Sequence, residues 1–188
     1  QIFMKKIIIL ASGSGTNTKN IIEYFKNMPS IEISMVISNK RNAGVFEKVE
    51  KYKIPTLYIN NESYKKNHLL VLLENIKPDL IILAGFLLKI PTSIINSFKK
   101  KIINIHPSLL PLYGGKGMYG SKIHQLVKKN EDKFSGITIH FVNDEYDKGL
   151  IIFQKKIKLN ISDSVEIISK KVQKLEHYHY PRVIENLL

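Results

Sequence analysis

The sequence predicts an α/β protein: a mostly parallel Rossmann-like sheet flanked by helices, with an antiparallel strand pair near the C-terminus. Three observations lead there. Short β-rich apolar runs alternate with amphipathic stretches through the first hundred or so residues, the pattern of a sheet built from βαβ units. A glycine-rich turn directly follows the first apolar run, as at a strand-to-helix junction. Two further strand-like runs then stand close enough together to pair as antiparallel neighbours.

Taken in order, strands are expected at 6–11, 31–38, 56–59, 79–84 and 101–105. Each is rich in Ile, Leu and Val and is bounded by turn-forming residues. Helices are expected near 16–26, 43–52, 64–76 and 92–98, where apolar residues recur at helical spacing. The antiparallel pair falls at 136–142 and 150–159, and a last helix at about 162–187, bent or interrupted near Pro181. No internal repeat, long linker or low-complexity stretch divides the chain, so residues 1–188 are expected to form one domain. Gln1-Ile2-Phe3 ahead of Met4 reads as an expression remnant or an upstream extension.

Composition narrows the function classes. Hydrophobic residues make up 44% and charged residues 24% of the 188, a globular rather than a disordered profile. Runs such as Leu80-Ile81-Ile82-Leu83-Ala84 are far too short to span a bilayer, and the signal-peptide succession is missing, so a cytoplasmic protein without a membrane partner is expected. The lack of cysteine removes disulfides, thiolate metal sites and thiol nucleophiles. The formal net charge of +13 suits anionic small molecules as well as nucleic acid. The lysines are scattered in pairs, and heavy use of Lys, Asn and Ile reads as coding bias, so no specific nucleic-acid partner is expected.

The most chemical stretch is Asn104-Ile105-His106-Pro107-Ser108-Leu109-Leu110-Pro111. Strand side chains alternate, so Asn104 and His106 point to the same side at the carboxyl end of a strand. Ligands sit at that edge in open α/β sheets, and a paired amide and imidazole there can donate to a developing oxyanion. The turn Ser12-Gly13-Ser14-Gly15-Thr16-Asn17 suits a monophosphate or is an ordinary tight turn with a Ser or Thr helix cap. It is neither a P-loop nor a full dinucleotide fingerprint. Taken singly, His106 would be a structural histidine and Asp147 a turn acid. His140 is expected in a structural or supporting role. His177 and His179, two apart on a helix, do not share a face, and no metal site is expected.

Over nearly its whole length the chain resembles the phosphoribosylglycinamide formyltransferase family. The sharpest parts are residues 7–17, Leu83-Ala84-Gly85-Phe86, residues 104–111, and residues 136–149, a run from Gly136-Ile137-Thr138-Ile139-His140-Phe141 to Asp147-Lys148-Gly149. The resemblance implies the formyltransferase fold and a reaction that moves a formyl group from 10-formyltetrahydrofolate, as co-substrate, to the amine of glycinamide ribonucleotide. It implies that Asn104, His106 and Asp147 are catalytic, with Asp147 favouring a cationic imidazole at His106. It implies that Gly15, Thr16 and Asn17 hold the substrate phosphate and Glu176 the ribonucleotide. It also implies that Leu87, Leu88, Lys89 and Ile90, with Asn143, Asp144, Glu145, Tyr146 and Asp147, surround the folate. Two departures fall on the folate's benzoyl-glutamate end: Leu88 and Asn61-Glu62 stand where relatives often carry arginine. The segment from Gly114 to Gly120 is a variant substrate-side loop or a plain connecting one. Methionyl-tRNA formyltransferase is the nearest alternative, set aside for Pro107, for Tyr113-Gly114-Gly115, and because no second domain is expected. Formyltetrahydrofolate deformylase, or a non-catalytic phosphate-binding module, stands further off.

Overall fold

The computed structural model describes residues 4–188, so the expectation for Gln1-Ile2-Phe3 lies outside the described residues. The elements run β1 (Lys5–Leu10), α1 (Thr16–Phe25), β2 (Ile31–Ser38), α2 (Gly44–Glu50), β3 (Thr56–Tyr58), α3 (Asn61–Lys65), α4 (His68–Ile76), β4 (Leu80–Leu83) and α5 (Thr92–Ser97). They continue with β5 (Ile102–His106), α6 (Ser121–Lys129), β6 (Phe134–Phe141), β7 (Ile151–Lys158) and α7 (Val165–Leu187). The strands form one seven-stranded sheet in the order β3-β2-β1-β4-β5-β6-β7, mostly parallel with an antiparallel C-terminal pair, and helices flank it.

The chain divides into two compact units, one running to Ile103 together with Leu187–Leu188, the other Asn104–Asn186. In the first, β1 pairs in parallel with β4, Ile7 to Leu80 through Leu10 to Leu83. All eight of these side chains are buried, as expected of parallel strands covered on both faces. Burying each large aliphatic side chain contributes about 1.5–3 kcal/mol. On α1, Thr18, Ile21, Ile22 and Phe25 form the buried stripe at helical spacing.

In the second unit β6 and β7 pair antiparallel, Thr138 opposite Gln154, and the register shifts between Ile139 and His140. Gly136 permits the close pairing, because a Cβ there would lie 2.1 Å from the Lys155 carbonyl oxygen. Lys155, Lys156 and Lys158 are exposed along β7, the last strand of the sheet. Lysines on such an edge discourage pairing with another chain.

Three elements differ from expectation. The helix expected over 64–76 is two helices, broken where Asn67 turns to a left-handed backbone (φ 60°). Asn60 caps the first of them, its side chain accepting from the Ser63 N–H at 2.8 Å. α6 was not expected at all, although buried Ile123 and Val127 stand four apart on it. α7 is not interrupted at Pro181. The proline withdraws an N–H from the helix ladder, but it is buried, and the Arg182 guanidinium donates to the Tyr178 carbonyl beside it.

Candidate active site

β5 ends at His106, which is only 4% exposed, with half-buried Asn104 two residues earlier on the same side of the strand. The loop that follows is held by Thr138 on β6. Its hydroxyl donates to the Ser108 carbonyl at 2.7 Å and accepts from the Leu110 N–H at 3.0 Å and from Gln154 at 2.9 Å. Gln154 also donates to the Leu110 carbonyl at 3.0 Å. Thr138, Ser108 and Leu110 are buried and their polar groups are satisfied, so these contacts fix the chain leaving β5 rather than weaken it.

Asp147 arrives from the β6–β7 loop. Asn143 ties that loop to itself, accepting from the Glu145 N–H at 3.0 Å and donating to the Lys148 carbonyl at 3.2 Å. Asp147 then takes a left-handed backbone (φ 56°), which an aspartate tolerates better than most residues. Its carboxylate meets three partners: the Gly115 N–H at 2.9 Å, His106 Nδ1 at 3.5 Å and His140 Nε2 at 3.7 Å. Asn104 Nδ2 completes the group, donating to His140 Nε2 at 3.2 Å. Asn104, His106 and Asp147 are thus brought together, with His140 as a fourth member.

The hydrogen-bond partners dictate the tautomers. His140 Nδ1 donates to the Phe141 carbonyl at 2.9 Å, which leaves Nε2 bare to accept from Asn104. His106 Nε2 donates to the Tyr113 carbonyl at 2.8 Å, so any second proton must go to Nδ1, beside Asp147. The register shift next to His140 helps set where its side chain points, a common use of such irregularities. His140 was expected in a structural or supporting role, and its contacts to Asn104 and Asp147 are of that kind.

The electrostatics correct one expectation. Burial pushes the His106 imidazole below its ordinary range, and the opposing pull of Asp147 and the Tyr113 carbonyl does not offset it. The resting imidazole is therefore neutral near pH 7, not cationic. Burial opposes the charge on Asp147 as well, but His140, His106 and the Gly115 N–H outweigh it and hold the carboxyl below the usual range.

The other expected residues sit elsewhere in the chain. In the first unit, Gly15 is the N-cap of α1 with φ 76°, a residue with no side chain to cap the helix. A Cβ on Gly15 would also lie 2.6 Å from Val45 Cα, so glycine is required there twice over. Of the two readings of this turn, the one with a Ser or Thr at the cap position is not met, since Gly15 stands there. Thr16 and Asn17 are half-buried in that first turn. Ser12 accepts from the Leu87 N–H at 2.9 Å and donates to Asn39 at 2.5 Å, and Tyr64 donates to the Lys89 carbonyl at 2.7 Å. The segment Leu87, Leu88, Lys89, Ile90 is pinned by these contacts, with Leu87 and Leu88 half-buried and Lys89 exposed. In the second unit, Asn143, Asp144 and Glu145 are exposed and Tyr146 half-buried. Glu176 is half-buried on α7, one turn before buried Tyr180. Among the described residues, no group of three or more His, Asp and Glu side chains is placed to hold a metal, and no helix is long and apolar enough to cross a membrane.

The family model described as formyl transferase matches residues 5–184. A phosphoribosylglycinamide formyltransferase of Bacillus subtilis is 35% identical, over 98% of this chain and 95% of that one. The chloroplastic phosphoribosylglycinamide formyltransferase of Arabidopsis thaliana is also 35% identical over 96% of this chain, which spans 64% of that protein's length. The crystal structure of phosphoribosylglycinamide formyltransferase from Bacillus halodurans matches with a TM-score of 0.88 at 31% identity, covering 98% of this chain and 95% of that one. The chain belongs to the formyl transferase family, among the phosphoribosylglycinamide formyltransferases.

Proposed function

We propose that this protein transfers the formyl group of 10-formyltetrahydrofolate to the amine of 5'-phosphoribosylglycinamide, in the synthesis of purines. The observation that carries the reading is the group of Asn104, His106, Asp147 and His140, whose hydrogen-bond partners leave one imidazole nitrogen beside a carboxylate. The amine nitrogen attacks the formyl carbon, and the carbonyl electron pair moves onto oxygen. Neutral His106 takes the amine proton at Nδ1, where the Asp147 carboxylate stabilises the resulting cation. That cation and the remaining N–H of the Asn104 amide face the negative oxygen of the tetrahedral adduct. Collapse of the adduct breaks the bond to the folate nitrogen, which receives the proton from Nδ1.

The remaining roles follow the family. The start of α1 at Gly15, Thr16 and Asn17 suits a phosphate, because backbone N–H groups point out of a helix N-terminus and the helix dipole favours an anion there. Leu87, Leu88, Lys89 and Ile90, and the loop from Asn143 to Asp147, serve the folate; half-buried Leu87 and Leu88 suit a flat heterocycle. Glu176 serves the ribonucleotide. The partners are small molecules, no metal takes part, and the protein acts in the cytoplasm as a single catalytic domain.

Absorbance of the folate follows the reaction directly. The wild-type protein should deformylate the donor when glycinamide ribonucleotide is present. His106→Ala should lose on the order of a hundredfold or more in kcat, because both an oxyanion partner and the proton carrier go. Near-normal turnover in that variant would remove His106 from the reaction.

A further inference from the structure

Tyr113 stands between the two reacting side chains through its main chain. Its carbonyl accepts from His106 Nε2 at 2.8 Å, and two residues on, the Gly115 N–H donates to Asp147 at 2.9 Å. Its own backbone is left-handed (φ 55°), a conformation a bulky residue adopts only when its surroundings hold it. Gly114 follows in close contact: a Cβ there would lie 2.6 Å from Leu110 Cδ2 and 3.4 Å from Asp147 Cβ. What holds this stretch lies well away in sequence. The Tyr113 hydroxyl donates to Asp132 Oδ2 at 2.5 Å and accepts from Asn130 Nδ2 at 2.8 Å, at the turn from α6 into β6. Asn130 is the last cap of α6, and the Asp132 N–H donates to the Val127 carbonyl at 3.2 Å, so the turn is itself anchored to that helix.

We propose that Tyr113, clamped by Asp132 and Asn130, is a positioning residue that sets the His106–Asp147 pair. The clamp holds the Tyr113 carbonyl against Nε2 and so keeps the neutral imidazole proton there, leaving Nδ1 free to take a proton beside Asp147. Without the clamp, Nε2–H loses its acceptor. The imidazole proton then moves to Nδ1, where the carboxylate accepts it, and the nitrogen that should receive the substrate proton is already occupied. The inference rests on the reading of His106 and Asp147 as the reacting groups.

The test uses Tyr113→Phe, Asp132→Ala and the conservative Asp132→Asn, with two readouts. Nitrogen-15 NMR of the His106 ring should show the Nε2–H tautomer in the wild type and a shift toward Nδ1–H in Tyr113→Phe and Asp132→Ala. In the formyl-transfer assay those two variants should lose about tenfold in kcat, with KM for both substrates within about twofold, as expected of misplaced rather than missing groups. Asp132→Asn keeps an acceptor for the hydroxyl and should recover most of both signals. The double variant Tyr113→Phe/Asp132→Ala should be no worse than Tyr113→Phe alone, since the loss of the hydroxyl already removes the contact to Asp132. An unchanged His106 tautomer in the two disruptive variants overturns the proposal, whether or not kcat falls, because a purely structural loss would leave the tautomer alone. The NMR readout decides the clamp even if glycinamide ribonucleotide proves not to be the acceptor, an outcome that would strike the proposed reaction instead.

Discussion

His106 lies between two opposed influences of comparable reach. Burial disfavours its cation, and Asp147 3.5 Å away favours it; burial prevails, so the resting ring is neutral and able to accept a proton. Replacing Asp147 with Asn should remove the favourable charge while the amide oxygen still accepts from the Gly115 N–H. The His106 titration midpoint, followed by NMR, should move to lower pH, and turnover should fall while the fold persists. A midpoint that stays put or rises would mean that Asp147 does not bear on the imidazole. The sign for stability follows as well. Both His106 and Asp147 titrate below their ordinary values in the folded protein, so the unfolded chain binds protons more readily. Their stabilisation is complete above the ordinary histidine range and is lost as pH falls through the folded values, first for His106 and then for Asp147. The pairing of Asn104 with His106 was legible because strand alternation is a local rule. The resting charge of His106 was not, because burial is a tertiary quantity that no spacing reports.

The site is assembled from strand ends and from the loops that glycines allow. Gly149 closes the loop carrying Asp147, and a Cβ there would lie 1.6 Å from the Phe141 carbonyl oxygen and 3.4 Å from His140 Nδ1. That same carbonyl accepts from His140 Nδ1, and the Phe141 N–H donates to the Leu150 carbonyl at 2.9 Å. Gly149→Ala must therefore displace main chain rather than a flexible side chain. It should cost about 3 kcal/mol, or roughly 10 °C in Tm, and depress activity together with stability. A Tm within about 2 °C of the parent would show that the close approach is not required. At this scale the strands were the most legible elements, since Ile7-Ile8-Ile9-Leu10 and Leu80-Ile81-Ile82-Leu83 are continuous apolar runs. α6 went unread because a nine-residue helix behind a glycine-rich loop carries little periodic signal. The break between α3 and α4 turns on one residue, Asn67, whose left-handed backbone nothing in its neighbours announces. The start of α1 was half legible: Gly13 and Gly15 marked the turn, but only the three-dimensional arrangement makes Gly15 the cap.

The whole chain combines a βαβ-built first unit with a second that holds the side chains proposed to react, from Asn104 to Asp147, around β5 and the β6–β7 pair. Its net charge of +13 fits a protein that attracts anionic small molecules, as a phosphorylated amine and a folate both are. The same charge and the same chemical group would also serve other acceptors of a formyl group, so the identity of the acceptor is the central claim. The direct measurement is donor deformylation by the wild-type protein with one acceptor at a time: glycinamide ribonucleotide, methionyl-tRNA, or water alone. The account predicts saturable turnover with glycinamide ribonucleotide, formylated product in equal amount to donor consumed, and only background rates with the other two. Turnover that needs methionyl-tRNA, or that proceeds equally well in water, would contradict it.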